Sequence, residues 1–237
     1  MDIKNIKKEF PIFKQKINGK PLVYLDSANS SQKPKIVIDK ISNFYETEFS
    51  NVGRSVHTLA VKATNRFEAT RDKVQKYLNA KHREEIIFTK GATEAINLVA
   101  ASYGKKYINK GDEILITELE HHSNYVPWNF LRSEKGAVIR FAQVNESGDI
   151  DIEEIKKLIN NKTKIIAITH ISNVTGAVLP ITKIVDLAKE KNIPVLIDGT
   201  QGAPHSEVDM QKIGCDFYAI SCHKMYGPNG LGILYMK

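Results

Sequence analysis

From Glu85 onward, short β-branched and apolar runs alternate with amphipathic stretches, and this alternation constrains the fold more than any other feature of the chain. A strand that is apolar throughout needs cover on both faces, and an amphipathic helix between two such strands supplies it. The pattern predicts an α/β fold: a mainly parallel, seven-stranded sheet with helices on both faces. Strands are expected at Ile86–Thr89, Glu113–Thr117, Val138–Ala142, Lys164–Thr169, Val195–Asp198, Phe217–Ser221 and Gly232–Met236. Helices fill the gaps and include Ala92–Ile108, Ile152–Ile159 and Ile181–Lys191. Ahead of the sheet, Pro34–Phe49 and His57–Leu78 read as two helices, the second long and rich in helix formers. An N-terminal segment, residues 1–56, is thus expected to lead into a large domain, residues 57–237. The last strand runs into Lys237 without a closing helix, from which a truncated architecture is expected.

The chain has 237 residues, 42% of them hydrophobic and 26% charged, enough to bury a substantial core. Its two cysteines, Cys215 and Cys222, lack the paired spacing of a zinc site or a disulfide framework, so a reducing, cytoplasmic setting is expected. Residues 1–13 carry Lys4, Lys7 and Lys8 but no apolar stretch of signal-peptide length. No segment approaches a membrane span, so secretion and membrane insertion are disfavoured. The formal charge is +7, yet acidic residues stand among the lysines, as in Glu153-Glu154-Ile155-Lys156-Lys157. That basicity reads as a solvated surface rather than a nucleic-acid footprint.

The chemistry is concentrated at strand ends. Asp198 closes the apolar run Ile193–Ile197 and so sits at the carboxyl end of a buried strand, where open α/β sheets place their ligands. Lys224 follows a second such run, Phe217–Ser221, and precedes a turn containing Gly227, Pro228 and Gly230. An isolated Asp-Gly is more often a capped turn, and a lone lysine is more often a surface residue. Together they fit an aldehyde cofactor, pyridoxal 5′-phosphate, which needs an amine for an imine bond and a carboxylate to keep its ring nitrogen protonated. Ser221 and His223 offer a hydroxyl and an imidazole to a phosphate. Gly91-Ala92-Thr93-Glu94 lies between a predicted strand and helix, and reads equally as an anion cradle or an ordinary helix start. In Glu120-His121-His122-Ser123-Asn124 adjacent histidines invite a metal, but neighbouring side chains on an extended segment point apart and no cluster completes a shell. A flat imidazole there could instead lie over a pyridine ring. No metal is expected.

These residues resemble the class V aminotransferase family of fold type I pyridoxal phosphate enzymes, and within it the Suf-type (group II) cysteine desulfurases. The resemblance also rests on Tyr24-Leu25-Asp26-Ser27-Ala28, the run Gly91–Val99, Thr169-His170-Ile171-Ser172-Asn173-Val174 and Cys215-Asp216-Phe217-Tyr218. It implies that Lys224 bonds the cofactor and moves the α-proton, that Asp198 pairs with the pyridine nitrogen and that Gln201 hydrogen-bonds the phenolic oxygen. It further implies that His121 stacks on the ring, that Thr93, Ser221, His223 and the amide of Ala92 hold the phosphate, and that Asn173 lies near cofactor and substrate. The implied reaction takes L-cysteine to L-alanine and passes sulfur to a protein persulfide for iron-sulfur cluster assembly. The implied partners are a second copy of the chain and a sulfur-acceptor protein of the Suf system. Selenocysteine lyase, another enzyme of the family, and a non-catalytic fragment that binds the cofactor or dimerises are the alternatives.

Two departures from the family pattern stand out. The family's sulfur-accepting cysteine lies well after the aldimine-type lysine, in a C-terminal small domain; neither Cys215 nor Cys222 matches it, so that domain is expected to be absent. Near the substrate entrance, Gly53-Arg54-Ser55 replaces a segment that usually carries His and Gly around the arginine, and Asn29 stands where Ala is common.

Overall fold

The structure, a computed structural model, describes residues 2–237. The chain runs through α1 (Ile3–Lys8), a small ribbon of β1 (Lys16–Ile17) and β2 (Lys20–Pro21), α2 (Lys35–Thr47) and α3 (Thr58–Tyr77). It continues through β3 (Ile86–Thr89), α4 (Ala92–Val99), α5 (Lys105–Tyr107), β4 (Glu113–Thr117), α6 (Val126–Lys135), β5 (Val138–Ala142), α7 (Ile152–Leu158) and β6 (Thr163–Thr169). Then come α8 (Ile181–Glu190), β7 (Val195–Asp198), α9 (Gly202–His205), α10 (Met210–Ile213), β8 (Phe217–Ser221) and β9 (Gly232–Met236).

Seven strands form one sheet in the order β3-β9-β8-β7-β6-β4-β5, and only β9 runs antiparallel to its neighbours. Side chains alternate across the pleat, and the sequence fills both faces. On one face lie Leu115, Ile166, Ile168, Val195, Ile197, Tyr218 and Ile220, packed under Ile181, Ile184, Val185 and Ala188 of α8. On the other lie Ile114, Ile116, Ile165, Ala167, Leu196, Phe217 and Ala219, packed under Ala95, Ile96 and Val99 of α4 and Trp128 and Leu131 of α6. Each fully buried Ile or Leu contributes about 1.5–3 kcal/mol, so the two layers rather than any single contact hold the sheet. The edge strand β5 is mostly exposed, and there Arg140 reaches back to Glu113 (2.9 Å).

The helix expected over Ala92–Ile108 is interrupted. Residues Ala100–Gly104 form a π turn between α4 and α5, beside the side chain of Ser102, which donates to the Leu98 carbonyl (2.6 Å). A Cβ on Gly104 would lie 2.6 Å from Leu131 Cδ1, so the small residue lets this helical stretch press against α6.

The connections place the cleft. From β4 the chain moves outward to β5, whereas from β6 it moves the other way, to β7 and β8. The carboxyl ends of β4 and β6 therefore flank a topological switch point, where the following loops diverge and leave a crevice.

Candidate active site

A cleft of about 180 Å³ opens at this crevice, and all nine residues singled out from the sequence line it: Ala92, Thr93, His121, Asn173, Asp198, Gln201, Ser221, His223 and Lys224. Each comes from the carboxyl end of a strand or the helix start that follows one. His121 follows β4, Asn173 follows β6, Asp198 ends β7, Ser221 ends β8, and Ala92 opens α4 after β3. Ala92, Asp198, Gln201 and Ser221 are buried and form the floor, while Thr93, His121 and Asn173 are exposed at the rim.

The amide of Ala92 donates to Ser221 Oγ (2.8 Å), joining the N-terminus of α4 to the end of β8. That close approach depends on Gly232 of β9. A Cβ there would lie 2.4 Å from the Gly91 Cα, with only backbone in the way. The positive end of the α4 dipole and the free side of the Ser221 hydroxyl face the cleft as an anion site.

On the floor, Asp198 Oδ1 accepts from the amide of Thr200 (3.0 Å). Gln201 Nε2 donates to the Ala28 carbonyl (2.6 Å), which ties the N-terminal segment to the loop after β7. Beneath, His170 Nδ1 and the Tyr218 hydroxyl share a hydrogen bond (2.9 Å). A Cβ on Gly202 would come within 2.1 Å of the same His170 nitrogen, so this glycine makes room for the pair. Burial lowers the His170 pKa and raises that of Tyr218, keeping both neutral.

Lys224 is partly buried at the end of a short turn, Cys222–Lys224. Burial lowers its pKa, while the charge of Asp198 pulls in the opposite direction. The His223 imidazole is held below its usual range by burial and by the positive charges of Lys224 and Lys33.

Four participants were not singled out from the sequence. Thr169, Thr200 and Ser123 line the cleft, and the Thr200 hydroxyl is buried without a hydrogen-bond partner. Glu120 lies behind His121, where its carboxyl accepts from Thr117 Oγ1 (2.6 Å), Asn124 Nδ2 (2.6 Å) and the Thr169 amide (2.8 Å). It thereby bridges β4 and β6 where they part. Burial, with a further contribution from Asp198, pushes its pKa up to about 8 against those donors. Glu120, Ser123 and Thr169 stand inside the quoted motifs and Thr200 lies between Asp198 and Gln201, so position beside the candidate residues was the available signal.

A family model for class-V aminotransferases matches residues 23–237. A probable cysteine desulfurase of Halalkalibacterium halodurans is 49% identical over the whole chain, which covers 58% of that protein. A cysteine desulfurase of Yersinia pseudotuberculosis is 48% identical over 99% of the chain and 58% of its own length. Among solved structures, the Escherichia coli cysteine desulfurase CsdA superimposes with a TM-score of 0.88 at 36% identity, over 100% of this chain and 58% of that one. The apo cysteine desulfurase of Thermococcus onnurineus gives 0.92 at 33% identity, over 99% and 57%. The chain belongs to the class-V aminotransferase family. It spans 58% of the length of each of the two curated relatives named here.

Enzymes of this family depend on pyridoxal 5′-phosphate, and the residues present fit that group. The cleft pairs a helix N-terminus and a hydroxyl, suited to a phosphate, with a buried carboxylate and an amine whose protonated form is disfavoured. The unpartnered Thr200 hydroxyl on the same lining has hydrogen-bonding capacity that a polar ligand can use.

Proposed function

We propose that this chain carries the pyridoxal-phosphate-binding part of a cysteine desulfurase, an enzyme that takes L-cysteine to L-alanine and passes the sulfur to a protein thiol as a persulfide. The observation that carries the reading is Asp198 and Lys224 on one cleft, at and just after the ends of adjacent strands, together with the anion site of Ala92, Thr93 and Ser221. The names of the relatives support cysteine as substrate, as does a neighbour whose structure is described as SspA in complex with cysteine (30% identity, TM-score 0.85).

When bound, the cofactor supplies an aldehyde and an electron-withdrawing ring. Lys224 supplies the amine that bonds to it. Because burial disfavours the ammonium form, a larger share of that amine is neutral and nucleophilic at a given pH than on a solvated lysine. Once free, the same nitrogen would be the group on the cleft lining to take the substrate's α-proton. Asp198 would hold the proton on the ring nitrogen, Gln201 would donate to the phenolic oxygen, and His121 would stack on the ring. Thr93, Ser221 and His223 would bind the phosphate, the Ala92 amide would exchange its Ser221 acceptor for a phosphate oxygen, and Asn173 would contact substrate.

Sulfur transfer needs a thiolate. Both cysteines of the chain are buried, and burial raises both pKa values, that of Cys222 to about 11. Neither supplies an exposed thiolate near neutral pH, so we assign the acceptor to a cysteine outside residues 1–237. Within the chain, residues 57–237 are the cofactor-binding large domain and residues 1–56 a segment packed on its site. A homodimer, a Suf-type acceptor protein and a cytoplasmic location complete the proposal. No helix among the described residues is long and apolar enough to cross a membrane.

Titrating the chain with pyridoxal 5′-phosphate and then L-cysteine tests the reading. We expect a visible absorption band that requires Lys224 and changes on adding L-cysteine. A band indifferent to L-cysteine but responsive to selenocysteine or another amino acid would reassign the substrate.

A further inference from the structure

The turn that carries Lys224 is held from a distant part of the chain. The carbonyl oxygen of His223, one peptide before the lysine, faces the Ser31 amide (3.0 Å), Ser31 Oγ (3.0 Å), Ser30 Oγ (3.3 Å) and Lys33 Nζ (2.8 Å). A carbonyl has two lone pairs, so this oxygen is surrounded by more donors than it can serve at full strength. Lys33 also donates to the Ser31 carbonyl (2.7 Å). Its ammonium is thus directed at two backbone carbonyls rather than a carboxylate, and burial lowers its pKa. A partly buried cation carries a desolvation cost, which its hydrogen bonds to the two carbonyls offset.

The turn needs ordering. Two residues after Lys224, Tyr226 adopts φ 66°, a left-handed backbone that is strained for a bulky side chain. Strain of this kind, of order 1–3 kcal/mol, persists only when the surroundings over-determine the conformation. Ser31 Oγ accepts from the Tyr226 amide (2.7 Å), and the Phe10 ring packs edge-on against the Tyr226 ring at 5.9 Å. The same serine therefore grips both sides of Lys224, at His223 and at Tyr226.

We propose that Lys33 is a positioning residue for Lys224: by donating to the His223 carbonyl it locks the strained turn, and with Ser31 it keeps the reactive amine directed into the partly desolvated cleft. The role of the amine itself rests on the function proposed above, but its placement does not. The charged or titratable groups bearing on the Lys224 nitrogen and its turn are Asp198 at the end of β7, His223 on the same turn and Lys33 from the N-terminal segment.

The test measures Lys224 without cofactor. Trace acetylation of the full chain with acetic anhydride, from about pH 7 to about pH 11 with peptide mass mapping, gives the pH profile of each lysine, and the well-exposed Lys156 serves as internal standard. With Lys33→Met the turn loosens and Lys224 is better solvated, so its profile moves up by about half a pH unit and its labelling at pH 7.5 falls about threefold relative to Lys156. Lys33→Arg, which keeps the charge and the donors, restores most of the wild-type profile. A Lys224 profile in folded Lys33→Met that superimposes on the wild type overturns the proposal. Ser31→Ala, which removes one donor to His223 and the acceptor for Tyr226 without removing a charge, must show the same upward shift, and a wild-type profile in it overturns the proposal even where Lys33→Met moves. Absence of a cofactor band in the wild type, with the labelling shift intact, would defeat the functional reading and leave the positioning role supported.

Discussion

Gly232→Ala should damage the fold and the anion site together. Gly232 pairs with Thr89 of β3 on one side and Ser221 of β8 on the other. A methyl group added there meets the Gly91 Cα at 2.4 Å, its carbonyl carbon at 2.6 Å and its nitrogen at 2.7 Å. Ordinary contacts need about 1 Å more, and since every obstacle is backbone, no side-chain rotation relieves the clash. Overpacking of this kind typically costs 1–3 kcal/mol, and with a backbone obstacle we expect about 3 kcal/mol. For a chain of this size that lowers the melting temperature by roughly 6–12 °C. The relaxation that accommodates the methyl group moves Gly91, and Ala92 with it, away from Ser221 Oγ, so affinity for pyridoxal 5′-phosphate should fall as well. Thermal melts followed by circular dichroism, with absorbance titration of the cofactor, measure both. A variant within about 0.5 kcal/mol of wild type, the range of a neutral surface change, and with unchanged cofactor affinity would refute the packing argument.

Ser221→Ala removes the acceptor for the buried Ala92 amide and should cost about 1–3 kcal/mol, read as a lower urea midpoint at an unchanged slope. His170 titrates below its unfolded pKa because burial disfavours the imidazolium. Its stabilisation is therefore complete above the ordinary histidine value of about 6.5 and is lost as pH falls below it, where the unfolded chain takes up a proton that the folded chain resists. His170→Gln should flatten the fall in stability between about pH 7 and 5.5 in denaturant titrations, and an unchanged slope would contradict this sign.

The strands were legible because each central one is buried on both faces and reads as an unbroken apolar run. Val195–Asp198, Phe217–Ser221 and Glu113–Thr117 appear where their periodicity puts them. That the nine candidate residues would meet in one cleft was legible in part from strand-end positions, as for Asp198 and Lys224, and in part, as for Gln201 and Asn173, only through the family resemblance. The antiparallel direction of β9 was not, since strand direction leaves no trace in the composition of a five-residue run. Neither was the π turn, because the apolar spacing of Ala92–Ile108 does not register one extra residue in a helical turn. Least visible was the grip of Ser31 and Lys33 on His223. Its partners are about 190 residues apart, and in sequence alone a lysine among serines before a proline reads as surface loop.

The central claim, that Lys224 is the amine to which the cofactor bonds, is tested most directly by borohydride reduction of the chain in pyridoxal 5′-phosphate and mass mapping of the trapped adduct. The account predicts one predominant adduct, on the peptide containing Lys224, and its loss in Lys224→Ala. An adduct spread over solvated lysines such as Lys156, or one that survives Lys224→Ala unchanged, would contradict it.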